Sequence, residues 1–206
     1  MNLPKKYRGV SLLELIFVIG IFSFLTLAAG SFFIRTFQFD RIIGDQLFGQ
    51  KEGRRIISEI VNVVRTAETS SVGGYPIGVA STSTLTIYAN IDSDTLRERV
   101  RYWLEGTNLK KGVLKPTGSP LAYSGQETVT ILAQNVRNNS INLPVFQYYD
   151  ESYTGSGTST ALTIPVSLTS IRMVRVTVEI NKQGGAFTSA PLRVESLTHI
   201  RNTKTN

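Results

Sequence analysis

Three features of the sequence predict an α+β fold. An apolar run occupies residues 15–33, apolar residues recur every three or four positions through much of 35–66, and alternating, β-branched segments dominate from Ser70 onward. The first feature is close to the ~20 residues that carry a helix across a bilayer. The second is the period of a helix with one apolar face, and the third is the period of antiparallel strands. The prediction is a long N-terminal helix, its first half transmembrane, packed on an antiparallel β-sheet head. The chain divides accordingly into a leader at 1–9, the membrane half of the helix at 10–34, its amphipathic half at 35–66 and a β-rich globular head at 67–206.

Lys5, Lys6 and Arg8 lead to Gly9, and Val10-Ser11-Leu12-Leu13-Glu14 opens the apolar run. Glu14 breaks the pattern. An unpaired charge costs about 2.5–3.5 kcal/mol at the bilayer centre and less near the interface, so this carboxylate wants a partner. The leader is wholly basic, whereas the far flank mixes Arg35, Asp40 and Arg41. The positive-inside rule therefore puts the N-terminus in the cytoplasm and the head outside. Three plainer readings compete: an ordinary anchor whose Glu14 reaches to the interface, a secretory signal cut near Ala28-Ala29-Gly30, and the core helix of a soluble protein. The run exceeds the roughly 7–15 apolar residues of a signal peptide and continues through Phe32-Phe33-Ile34. Core helices rarely go so far without a polar face.

Past the apolar run no proline occurs before Pro76. Ile43, Leu47, Ile56, Ile57, Ile60, Val61 and Val64 make one face, while Arg41, Asp45, Glu52, Arg55, Glu59 and Asn62 suit the wet side. If unbroken, the helix from Val10 to Thr66 would reach roughly 85 Å. Gly44, Gly49 and Gly53 each cost up to ~1 kcal/mol in a helix interior and mark bend points.

A loop at residues 70–76 opens the head. Strands are expected at 84–89, 98–104, 108–114 and 145–150, with 128–132 either a short strand or a brief helix. The segment 152–161 is rich in Gly, Ser and Thr and reads as a loop. The clearest alternation is at 171–180, which Gly184-Gly185 turns into a partner at 192–201 to form a long antiparallel hairpin. Of the adjacent Tyr148 and Tyr149, one is expected in the core and the other on the surface.

The 206 residues suffice for one head with a real core. The net charge is +7, but without Lys5, Lys6 and Arg8 the excess is +4, too small to name nucleic acid as a partner. Cysteine is absent, so packing alone must hold the head. The chain has no Gly-x-Ser-x-Gly, Gly-x-Gly-x-x-Gly or Walker-type loop. Its single histidine, His199, sits on an alternating strand as a surface or edge residue. No enzyme activity is expected. Asp92-Ser93-Asp94 has two carboxylates that could begin a calcium site, but a solvated turn is the preferred reading. No metal or cofactor is expected.

A basic leader ending in Gly9, with Glu14 five residues on and a spanning helix behind it, resembles the type IV prepilin signal. The resemblance implies cleavage after Gly9 by a membrane-embedded prepilin peptidase and methylation of the freed amine of Val10, which stands where Phe is commoner. It also implies that Glu14 neutralises an N-terminal ammonium inside a helical filament. Many major pilins carry a Pro that loosens the helix past its midpoint; here any such melting is expected at Gly30, Gly44 or Gly49. The head is similar to minor pilins and pseudopilins of the W and J types in its order of segments: Val100-Arg101-Tyr102-Trp103-Leu104, an arm at 109–114, Ile131-Leu132-Ala133-Gln134-Asn135-Val136, Phe146-Gln147-Tyr148-Tyr149-Asp150, Ile171-Arg172-Met173-Val174-Arg175-Val176 and an ending at 197–202.

The implied fold is pilin-like. The implied function is structural, in priming or tipping assembly of a type IV pilus or a type II secretion pseudopilus. The implied partners are other minor and major pilins or pseudopilins along the N-terminal helix, the prepilin peptidase and the inner membrane, which the chain would cross once before incorporation into a surface or periplasmic filament. The alternative is a membrane-anchored extracytoplasmic binding module, for DNA uptake or surface adhesion. Nucleic acid is not favoured, because no basic run accompanies Tyr148, Tyr149 and Tyr153.

Overall fold

The computed structural model describes residues 9, 11–92, 94–155, 160–181 and 191–201, with the backbone alone at 38–49. The chain falls into two compact units, Met1–Leu47 and Phe48–Asn206. Helix α1 (Leu12–Arg65) has 54 residues and passes from one unit into the other. Its helical backbone continues through Gly20, Gly30, Gly44, Gly49 and Gly53.

Inside the first unit, Leu12–Phe37 is long and apolar enough to cross a bilayer, and none of it is buried. Its 26 residues would extend about 39 Å against a hydrocarbon core of ~30 Å. Three hydroxyls bond back to their own helix: Thr26 Oγ1 donates to the Phe22 carbonyl at 2.8 Å, Ser31 Oγ to Ala28 at 2.8 Å and Thr36 Oγ1 to Phe32 at 3.0 Å. Each of these bonds gives its hydroxyl a partner within the helix itself.

In the second unit α1 becomes amphipathic. Ile56, Ile57, Ile60, Val61 and Val64 are buried, and Arg55 on the other side bonds Glu52. Ile43 and Leu47 fall outside the described side chains. Gly53 is also buried, because the strand at 192–199 comes so close that a Cβ there would lie 2.6 Å from Val194 Cγ2. The Lys111 ammonium reaches Glu59 at 2.9 Å and ties the helix to the head.

Among the described residues the head has eight strands, in two antiparallel sheets rather than one. β1 (Ile77–Ala80), β2 (Thr84–Ala89), β3 (Glu98–Glu105), β4 (Asn108–Leu114) and β5 (Thr128–Ala133) form a meander in chain order. β6 (Phe146–Tyr149), β7 (Met173–Ile180) and β8 (Leu192–His199) form a second, three-stranded sheet. The pairing of β7 with β8, from Met173 opposite His199 to Ile180 opposite Leu192, is the long hairpin read from the alternation. The ambiguous segment at 128–132 is a strand.

Period two is clearest in β3, where Glu98, Val100, Tyr102 and Leu104 are buried while Arg99, Arg101 and Trp103 are partly exposed. One core cluster joins the helix residues to Leu85, Ile87, Val100, Tyr102 and Leu109 of the first sheet and to Phe146, Tyr148, Val174, Val176 and Val178 of the second. On the opposite face of β3, Glu127 is gripped by Arg99 at 3.0 Å and Arg101 at 2.5 Å. The Arg101 guanidinium also stacks 4.0 Å from the Trp103 ring centre. Gly112 permits this layer, since a Cβ there would stand 2.7 Å from a Glu127 oxygen and 3.1 Å from the indole.

Backbone and side-chain bonds join the sheets. The Thr82 carbonyl accepts from Val145 N at 2.9 Å and Phe146 N at 3.0 Å, and Tyr148 OH donates to the Ser81 carbonyl at 2.8 Å. Asn138 is fully buried. Its Oδ1 accepts from Glu179 N at 2.8 Å, and its Nδ2 donates to the carbonyls of Thr177 at 2.9 Å and Leu143 at 3.2 Å. Tyr148 and Tyr149 are both buried, which corrects the expectation that one would face solvent. The far face of β6 has its own cover: the Tyr153 ring lies 4.4 Å from Tyr149 and the Arg175 guanidinium 5.0 Å from it.

Candidate functional site

The residues expected to carry function cluster at the start of α1. Lys5, Lys6, Arg8 and Val10 lie outside the described residues. Gly9 is exposed, with no atom within 4 Å of where a Cβ would stand. Ser11 stands just before the helix, which begins at Leu12. Its hydroxyl accepts the Glu14 N–H at 3.4 Å, and its carbonyl accepts the Leu15 N–H at 3.1 Å.

Ser11 is therefore the N-cap and Glu14 occupies the third helical position. Ser-x-x-Glu before an apolar run is the sequence signature of a capping box. Glu14 stands out in the sequence for its charge, whereas the capping role of Ser11 emerges with the structure, although the Ser-x-x-Glu spacing carries it. Glu14 is exposed and, in the first turn, faces the positive end of the helix dipole. Further along, Ile16, Phe17, Gly20, Ile21, Phe24 and Leu25 line a shallow apolar groove. No atom lies within 4 Å of the Cβ position of Gly20, so the groove is open to close packing by another apolar surface.

A second group of charged side chains lies between β2 and β3. Asp92 and Asp94, read as a solvated turn, do shape one: Asp92 Oδ1 accepts from Asp94 N at 3.0 Å and Asp94 Oδ1 from Leu96 N at 2.7 Å. The Lys115 ammonium, just past β4, bonds Asp92 at 3.0 Å and also Asp94. The N–H of Asp94 and then Lys115 hold the Asp92 carboxyl below its usual range. The hydrogen bonds to Asp94 and then Asp92 push the Lys115 ammonium up.

Glu98 does not stand out in the sequence as part of this group, because it lies at the head of an alternating strand. Its carboxylate nevertheless turns inward, and each of Asp92, Asp94 and Glu98 places an oxygen within 4.8 Å of the others. His199 is exposed at the end of β8, the surface position expected of it. No protein-family model matches the sequence, and none of the curated proteins does either.

Proposed function

We infer that this chain is a non-enzymatic structural subunit of the minor pilin or pseudopilin kind, anchored in the inner membrane and assembled into a filament through α1. The observation that supports the reading is the make-up of that helix. It starts on a lone carboxylate, stays apolar and uncovered over Leu12–Phe37, and then enters the core of a β-rich head with no loop between. Cleavage after Gly9 would free an amine one residue before the N-cap. An ammonium there opposes the helix dipole, and the Glu14 carboxylate of an adjacent subunit offsets that cost. Sliding one helix past another by a turn displaces it about 5.4 Å. In an apolar bundle a charge pair penalises that slip more than smooth side-chain packing does. The pair thus fixes register more than it adds net stability.

Intact mass and N-terminal sequencing of membrane-extracted protein test the reading. A methylated Val10 terminus is expected; Met1 retained, or a terminus at Ser31, overturns it. Glu14→Ala should leave membrane insertion intact while reducing recovery in sheared filaments by more than about tenfold, as for breaking a desolvated pair worth roughly 2–5 kcal/mol. Recovery at the wild-type level removes the pairing role.

A further inference from the structure

The loop from β2 to β3 and the first residue of β3 bring three carboxylates within reach of one ion. Like charges brought this close repel one another unless a cation stands between them. Among the described residues the only cation bonded to the group is Lys115, which pairs with Asp92 and Asp94 but not with Glu98. Three acidic side chains thus share one ammonium.

Glu98 is the decisive member. Only 2% of it is exposed. Its Oε2 accepts the Ile91 N–H at 3.1 Å, while its Oε1 is buried with no hydrogen-bond partner. A buried carboxylate oxygen without a partner is costly, and proteins retain such a group where something else meets it. The same loop holds a second buried oxygen of this kind, Oδ1 of Asn90, whose Nδ2 donates to the Asp94 carbonyl.

We propose that this loop is a calcium site, with Asp92, Asp94 and Glu98 as carboxylate ligands and Asn90 Oδ1 as a neutral one. The donors are all oxygen, the set a hard cation takes. Calcium holds oxygens at about 2.3–2.6 Å, so ligands on opposite sides of the ion stand roughly 4.6–5.2 Å apart. One oxygen from each of the three carboxylates, within 4.8 Å of the other two, can share such a sphere. Magnesium, at about 2.0–2.1 Å with strict octahedral geometry, fits a tighter cage. Lys115 competes with the ion for both aspartates. Its side chain is 45% exposed, so it can swing into solvent when calcium enters. The site is independent of the filament reading, since every ligand belongs to the head.

Calorimetric titration of the full-length protein, detergent-solubilised and stripped with EGTA, tests the proposal with calcium chloride alone. One calcium per chain is expected, with Kd in the range of extracellular modules, about 10⁻⁴–10⁻³ M. At ten times Kd the melting temperature should rise by about 3–6 °C. Asp92→Asn, which keeps an oxygen for the turn, should weaken binding by ~10-fold, and Lys115→Gln should tighten it several-fold. A flat titration with unchanged melting at 10 mM calcium overturns the site. So does an equal response to magnesium, or wild-type affinity in Asp92→Asn. Lys115→Gln binding no more tightly than wild type overturns the competition.

Discussion

The two halves of α1 share one backbone and differ in what surrounds them. From Leu12 to Phe37 every described side chain is exposed, although the stretch is apolar on all sides. From Gly53 to Val64 a buried face of Gly53, Ile56, Ile57, Ile60, Val61 and Val64 alternates with exposed residues such as Arg54, Arg55 and Asn62. A helix packed on its own protein needs one apolar face, and the other face meets water. A helix apolar all round has no side suited to water and requires an apolar surrounding on every side. The change from one pattern to the other therefore shows where the head's own core takes over as the partner of α1.

The sharpest test of this contrast is truncation. Ile60→Ala, at a position with 0% exposure, should destabilise the head by about 2–5 kcal/mol. Leu25→Ala should leave it within ~0.5 kcal/mol. Denaturant unfolding of the solubilised chain, followed by the fluorescence of Trp103, its single tryptophan, reads both; equal effects would erase the distinction between the halves. A smaller effect is expected from added methyl groups. Gly53→Ala must push Val194 aside, which costs about 1–3 kcal/mol, less up to ~1 kcal/mol of helix propensity regained. Gly20→Ala meets nothing within 4 Å and should leave the head's unfolding midpoint unchanged. The smallest effect belongs to the cap: Ser11→Ala should loosen the first turn by about 1 kcal/mol. That would appear as roughly fivefold faster amide exchange at Leu13 to Leu15, with no change in the head.

Elements that follow a local period were legible in the sequence. The α1 stripe at 56–64, the strands β2, β3 and β4 and the β7–β8 hairpin are each set by spacing that a dozen residues display. β1 was not legible. Ile77-Gly78-Val79-Ala80 is short, follows a proline, carries a glycine and leaves Val79 exposed; only its pairing with β2 makes it a strand. The division into two sheets was hidden for a related reason, since period two says which face a residue occupies and not which strand lies beside it. Tyr149 was misjudged because its cover, Tyr153 and Arg175, comes from other segments. At the candidate sites, Gly9, Val10 and Glu14 are singled out by their fixed separation in the sequence alone, and Val10 lies outside the described residues. The capping role of Ser11 was readable and overlooked. Glu98 was hidden by its strand, because its distance to Asp92 and Asp94 depends on how the loop closes.

The Ile56–Val64 face of α1 has a consequence for the head alone, because it belongs to one core cluster with residues of both sheets. Without that face each sheet would present uncovered apolar side chains. The two sheets are therefore expected to lose their packing together rather than one after the other.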